Sequence, residues 1–92
     1  METFEDFVKN NKEMIREVST MIFQRAFEGK KKHNAGFSVS MELADDYIVE
    51  FTQVGEEFER FTSDVEYATD SIIAFFRYFY SALCVHEEKA MN

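Results

Sequence analysis

The side chains equipped to act on a substrate are few. The chain has one cysteine, Cys84, two histidines, His33 and His86, and 18 Asp and Glu among its 92 residues. Cys84 and His86 lie two apart, so on a helix they point about 200° away from each other and do not form a nucleophile–base pair. Cys84 falls in an apolar run and reads as an inert buried thiol. His86 continues an apolar helical stripe and reads as structural, while His33 reads as a loop residue. No Cys/His set offers three or four ligands at metal spacing. Asp45-Asp46 and Glu56-Glu57-Glu59 carry the oxygen ligands a hard cation takes, but without EF-hand spacing. No glycine-rich loop could cradle a phosphate, and no spacing singles out a carboxylate pair for acid–base work. The expectation is a protein that binds rather than catalyses, without cofactor or metal.

Charge is the stronger signal. The formal net charge is −8. Residues 1–36 hold 7 Lys/Arg and 6 Asp/Glu, while residues 37–92 hold 3 Lys/Arg and 12 Asp/Glu. Ten acids fall between residues 42 and 70: Glu42, Asp45, Asp46, Glu50, Glu56, Glu57, Glu59, Asp64, Glu66 and Asp70. Affinity for phosphates comes from Lys and Arg, so direct nucleic-acid binding and anionic membranes are both disfavoured. A row of carboxylates on a rigid scaffold can instead imitate phosphate spacing and dock in a basic groove, although solvated acidic surfaces are common. The Lys30–Lys32 run reads as solvated cations at the negative end of a helix.

The elements that position these groups follow from period. Thr3-Phe4-Glu5-Asp6 resembles a capping box, with Asp where Glu or Gln is usual. Phe4, Phe7, Val8, Met14, Ile15, Val18, Met21, Ile22 and Ala26 then mark one helical face, widened by Phe23 and Phe27. This predicts one helix over about residues 4–28, with Gly29 as its C-terminal cap. Phe37, Val39, Met41 and Leu43 alternate with polar residues, as do Tyr47, Val49 and Phe51 after the turn-like Ala44-Asp45-Asp46. Strands at about 37–43 and 47–53 follow. If Leu43 faces Tyr47, Met41 faces Val49 and Val39 faces Phe51, every apolar residue shares one face, and a one-residue slip destroys that face. Residues 44–46 form the loop, with Asp46 the candidate for a left-handed conformation. Glu42 and Glu50 then lie on the outer face.

Gly55 ends the second strand. Ser63-Asp64-Val65-Glu66 is an S-x-x-E capping box that would start a helix near residue 64. The unbroken 3–4 spacing of Phe58, Phe61, Val65, Ala68, Ile72, Phe75, Phe79, Ala82 and His86 favours one helix over about 56–88 instead. Both readings stay open. The tail Glu87–Asn92 is expected to fray. The fold class is α+β, helix–β-hairpin–helix (αββα): two helices on one face of a two-stranded antiparallel sheet, in a single domain over residues 1–92.

In the segment Ile72–Val85, 12 of 14 residues are apolar. The segment is too short to span a bilayer and carries Arg77. Its second stripe, Ile73, Phe76, Tyr80 and Leu83, is more apolar surface than one other helix and a hairpin readily cover. The expectation is a homodimer with these four residues at its interface. The plainer reading is that the first helix covers one stripe and the hairpin the other. A start without an uninterrupted apolar core and a single cysteine point to the cytoplasm, the host's if the chain is phage-encoded.

In size, acidity and the lack of a catalytic set, the chain resembles the small acidic inhibitors encoded by phages and mobile elements, including anti-CRISPR and other anti-defence proteins. No family motif carries that likeness, which is one of type. It implies an inhibitor of the DNA-mimic kind, whose ten acids occupy the basic surface of a nucleic-acid-handling protein. The alternative is a homodimeric adaptor or chaperone-like protein that binds a client through apolar surface. A small-ligand binder with aromatics around a pocket ranks third, because an aromatic stripe is more often core.

Overall fold

The computed structural model describes residues 2–44 and 47–91. The elements among them are α1 (Phe4–Asn10), α2 (Lys12–Lys31), β1 (Gly36–Ala44), β2 (Tyr47–Val54), α3 (Glu56–Ser63) and α4 (Val65–Met91). The class is α+β, with helices on either side of the hairpin in sequence and a long C-terminal helix. Asp45 and Asp46, and with them the left-handed conformation expected at Asp46, lie outside the described residues.

The predicted first helix is two helices. The Thr3–Asp6 capping box forms reciprocally: the Asp6 amide donates to Thr3 Oγ1 and the Thr3 amide to Asp6 Oδ2, both at 3.1 Å. The chain then breaks at Asn11, in the polar run Lys9–Glu13. The Asn11 amide nitrogen Nδ2 donates to the Phe7 carbonyl at 2.8 Å, offering the backbone a partner other than the helix ladder. The break lets α1 lie on α4 while α2 packs on β1. Gly29 is not the cap. The helix runs through it to Lys31 and ends in a Schellman motif, with His33 left-handed at φ 59°. The His33 amide donates to the Lys30 carbonyl and the Asn34 amide to the Gly29 carbonyl. Gly29 is buried within the helix, and an added Cβ there would make ordinary van der Waals contact with the Gly36 carbonyl and the Phe58 ring, each 3.6 Å away.

The hairpin keeps the expected register in its body: Met41 faces Val49 and Val39 faces Phe51. Near the turn it departs. Tyr47 pairs with Ala44, and the irregularity falls between Glu42 and Ala44, leaving Leu43 as the extra residue. Val39, Val49, Phe51 and Gln53 are buried on the inner face, while Ser38, Ser40, Glu42, Ile48, Glu50 and Thr52 are exposed on the outer one. Alternation thus sends the carboxylates outward.

The helix after Gly55 breaks at Asp64, so the capping signal prevails over unbroken spacing, but one residue later than expected. Ser63 does not cap; its hydroxyl donates back to the Glu59 carbonyl at 2.8 Å. Asp64 Oδ1 accepts the Tyr67 amide at 3.2 Å and caps α4. The tail expected to fray continues as helix to Met91.

The core is aromatic. Phe58 and Phe61 are among the largest fully buried side chains, with Ile22 and Val39. Phe51 meets Phe75 edge-on at 5.4 Å and Phe61 at 5.6 Å, and Phe37 lies 5.5 Å from Phe61. Such offset and tilted pairs add about 0.5–1.5 kcal/mol each beyond their buried area. This layer ties α2, α3 and α4 to the inner sheet face.

Candidate functional site

The surplus apolar stripe of α4 is largely covered within the chain. Phe76 is 3% exposed. Tyr80 packs against Phe7 and Phe4 of α1, with ring centroids 5.0 and 6.1 Å away, and its hydroxyl donates to the Glu2 carbonyl at 2.8 Å. Leu83 is half-buried. Of the four residues assigned to a dimer interface, Ile73 alone is an exposed large hydrophobic, at 44%. The break at Asn11 frees α1 to cross α4 and cover most of this stripe.

The crossing leaves a groove. A cavity of about 590 Å³ lies between α1, α2 and α4. Phe4 and Val8 line it from α1, Ile15 and Phe23 from α2, and Ile72, Ile73 and Phe76 from α4. Its polar lining is Ser19, Thr69, Glu5 and Arg77. The Arg77 guanidinium lies 4.4 Å from the centroid of the Phe4 ring, a cation–π contact. Beyond the groove the apolar surface continues to Phe27, 51% exposed and stacked on Phe23. The sequence signal was the placement of Phe23 and Phe27 beside the main stripe of α2, read there as a wider core face.

The acidic residues divide into three groups. Glu42 and Glu50 share the outer sheet face as diagonal cross-strand neighbours, which sets them roughly 7–8 Å apart. Glu56, Glu57 and Glu59 are exposed on α3. Glu66 and Asp70 are exposed one turn apart on α4, with Cβ atoms about 5–6 Å apart. Two acids are engaged by neighbouring bases. Glu59 Oε2 lies 3.3 Å from Lys30 Nζ, and Asp64 Oδ2 lies 3.8 Å from Arg60 Nε. Glu42, Glu50, Glu56, Glu57, Glu66 and Asp70 form no ion pair among the described residues. The basic run at the end of α2 is largely occupied. Lys30 also donates to Thr62 Oγ1, and Lys32 donates to Glu28 at 2.8 Å, holding that carboxyl below its ordinary value.

Cys84 is exposed, not buried as expected, because it falls on the side of α4 that also carries Arg77 and Ser81. The neighbouring Cys84 is the main reason the Tyr80 hydroxyl is pushed up to about 12, with burial and the Glu2 and Asp6 carboxylates adding to it. His86 is half-buried beside the Tyr47 ring, 6.4 Å away. Tyr47, at the edge of the inner sheet face, is 44% exposed. With Tyr78, Ala82 and Val85, Tyr47 and His86 line a second hollow of about 310 Å³. The neighbouring Tyr47, followed by burial, raises the Tyr78 hydroxyl. Among the described residues, no group of three or more His, Cys, Asp or Glu is placed to hold a metal ion, and no helix is long and apolar enough to cross a membrane. Compared with known proteins, the chain matches no family model, no curated protein sequence and no solved structure.

Proposed function

We propose that this chain is a cytoplasmic, non-catalytic binding protein that occupies the basic surface of a nucleic-acid-handling protein, an inhibitor of the DNA-mimic, anti-CRISPR-like kind. One observation carries the reading: Glu42, Glu50, Glu56, Glu57, Glu66 and Asp70 are exposed and form no ion pair within the described chain. Carboxylates fixed on strands and helices, without cations of their own, raise the local negative potential and steer a cationic partner. The test is capture from lysate with identification of the bound protein, followed by competition with its nucleic acid. The expected partner is a basic nuclease or DNA-binding protein that releases nucleic acid when the chain is added. Capture should fail at salt of about 0.5 M, where the screening length falls to a few ångströms. It should also fail when the six acids are changed to Gln or Asn. Salt-insensitive capture, or a partner that keeps its nucleic acid, would overturn the proposal.

The groove favours the second reading, an adaptor that binds a client through apolar surface. In that reading the seat is the α1–α2–α4 groove, which includes Ile73 and Phe76 of the stripe expected at a dimer interface.

A further inference from the structure

We infer that the open edge of β1 seats a second copy of this chain. Two β1 strands pair antiparallel about a two-fold axis at Ser40 and join the hairpins into one four-stranded sheet. The pairing rests on the strand itself and goes beyond the proposed binding of a basic partner.

The backbone gives the first reason. The Gly55 amide donates to the Ala35 carbonyl, so these two residues are a hydrogen-bonded pair of the antiparallel ladder. Alternation then bonds Phe37 to Gln53, Val39 to Phe51 and Met41 to Val49. The amides and carbonyls of Ser38, Ser40 and Glu42 therefore point away from β2, and no other backbone group takes them among the described residues. Such a row is a template for another strand. At one end the Gly36 carbonyl lies within van der Waals reach of Gly29 in α2, and at the other the irregularity follows Glu42. The open stretch is thus residues 38–42, centred on Ser40.

The side chains give the second. Edges that must stay single are commonly guarded by charge or proline. No charged residue falls between Asn34 and Met41, and the chain has no proline. On β2, by contrast, Glu50 stands at the middle, where self-pairing would set it against its own copy. The inner faces differ as well. Val49, Phe51 and Gln53 of β2 are buried, whereas Phe37, Met41 and Leu43 of β1 are half-buried.

The occupant is a second copy because the strand complements itself about Ser40. The two-fold sets Phe37 against Leu43, Val39 against Met41 and Ser38 against Glu42 across the copies. Apolar residues left half-covered in one copy are covered by those of the other, and Ser38 offers a hydroxyl to a carboxylate. The two Glu42 residues stay about 14 Å apart along the strands, beyond the screening length of about 8 Å at physiological salt. The outward pairs make about six backbone hydrogen bonds. Glu42 and Glu50 of both copies then share one outer face.

Sedimentation equilibrium and amide exchange on the whole chain test the pairing. The native chain should be a dimer at high micromolar concentration. On dilution the amides of Ser38, Ser40 and Glu42 should lose protection about ten-fold or more, while those of Phe37, Val39 and Met41 keep theirs. Ser40→Pro removes an amide that β2 does not use, and should weaken the dimer at least about ten-fold. The dilute variant should keep its thermal midpoint within a few degrees. Ser40→Lys makes the same cut without proline: the new cation faces Glu50 within the hairpin and its own copy across the axis. Each copy carries −8, so salt should tighten the dimer, opposite to its effect on capture of a basic partner. A chain that is monomeric at every concentration would overturn the inference. So would a dimer that survives both Ser40 variants, is dissociated by Ile73→Glu or loosens with salt, or outward amides whose exchange ignores concentration. A chain that dimerises through β1 yet captures no basic protein would reject the proposed function alone.

Discussion

The first half of α4 lies under an aromatic layer filled from α2, α3 and the hairpin, whereas its second half is held by the seven-residue helix α1. Around Ala68, Ile72 and Phe75 the neighbours are Phe51, Phe61 and the inner sheet face. Around Phe79 and Tyr80 they are Phe4 and Phe7. Toward the hairpin the layer leaves no room for a partner. The groove opens on the other side of the same stretch of α4, along Thr69, Ile73 and Arg77, between α1 and α2. Where a small domain economises on core, the shortfall becomes surface that another molecule can use.

The difference can be broken from its stronger side first. Phe61→Ala removes a ring shared by Phe23, Phe37 and Phe51. A cost of about 3–5 kcal/mol is expected, because little else can collapse into the gap. Denaturant titration should show one earlier transition with an unchanged slope. A fall of under about 1 kcal/mol would mean that the layer is not packed as described.

Phe7→Ala is the matching cut on the weaker side. Phe7 is buried, but α1 can undock as a unit, which caps the loss. The expected cost is below about 3 kcal/mol, the low end for a buried phenylalanine. Hydrogen exchange should show protection lost in α1 and near Tyr80 while hairpin amides keep theirs. Equal loss in both regions would erase the distinction between the halves.

The same asymmetry governs what could be read in advance. The hairpin register was legible because Val39, Met41, Val49 and Phe51 all had to face inward, and a single slip would bury Glu50. The pairing of Ala44 with Tyr47 was not, because a bulge costs only one local pair and leaves no period. The break at Asp64 was announced by a capping box, yet the side chain that caps was hidden. Ser63 and Asp64 are both good caps, and the choice was made by the Glu59 carbonyl accepting the Ser63 hydroxyl. The break at Asn11 had a signal in the polar run Lys9–Glu13, but apolar spacing resumes in phase after it. The groove exists only because of that break. Its lining was therefore visible as single apolar residues and invisible as a site, whereas the outward direction of Glu42 and Glu50 followed from strand parity alone.

A smaller effect sharpens how tightly the hairpin side is closed. At Gly36 an added Cβ would run into the backbone carbonyl of Gln53 and lie 2.8 Å from Val54 Cγ1, so the strand must move. Gly36→Ala should cost about 1–2 kcal/mol, in the range of overpacking. At Gly55 the space is open and the constraint is a φ of 61°. Comparing the two alanine variants by thermal unfolding separates crowding from backbone conformation: a larger loss at Gly55 would show that the sheet end yields to the added methyl.

The finest test is on the α1 side. The Tyr80 hydroxyl donates to the Glu2 carbonyl, and its pKa is pushed from 10.0 to about 12, chiefly by the neighbouring Cys84. A phenol whose pKa is higher in the folded than in the unfolded chain stays neutral on folding after the unfolded chain has begun to ionise. Its contribution is therefore complete below pH 10 and is lost as the pH rises through about 12. The gap in unfolding midpoint between the native chain and Tyr80→Phe should be constant up to pH 10 and shrink above it. Cys84→Ala should pull the upper end of that window down, since it removes the first cause of the shift. In the same window exchange protection should fall in α1 while the hairpin stays closed. Parallel curves through the window would mean that α1 is not anchored by this hydroxyl. The weaker half of α4 would then rest on the Phe7 contacts alone.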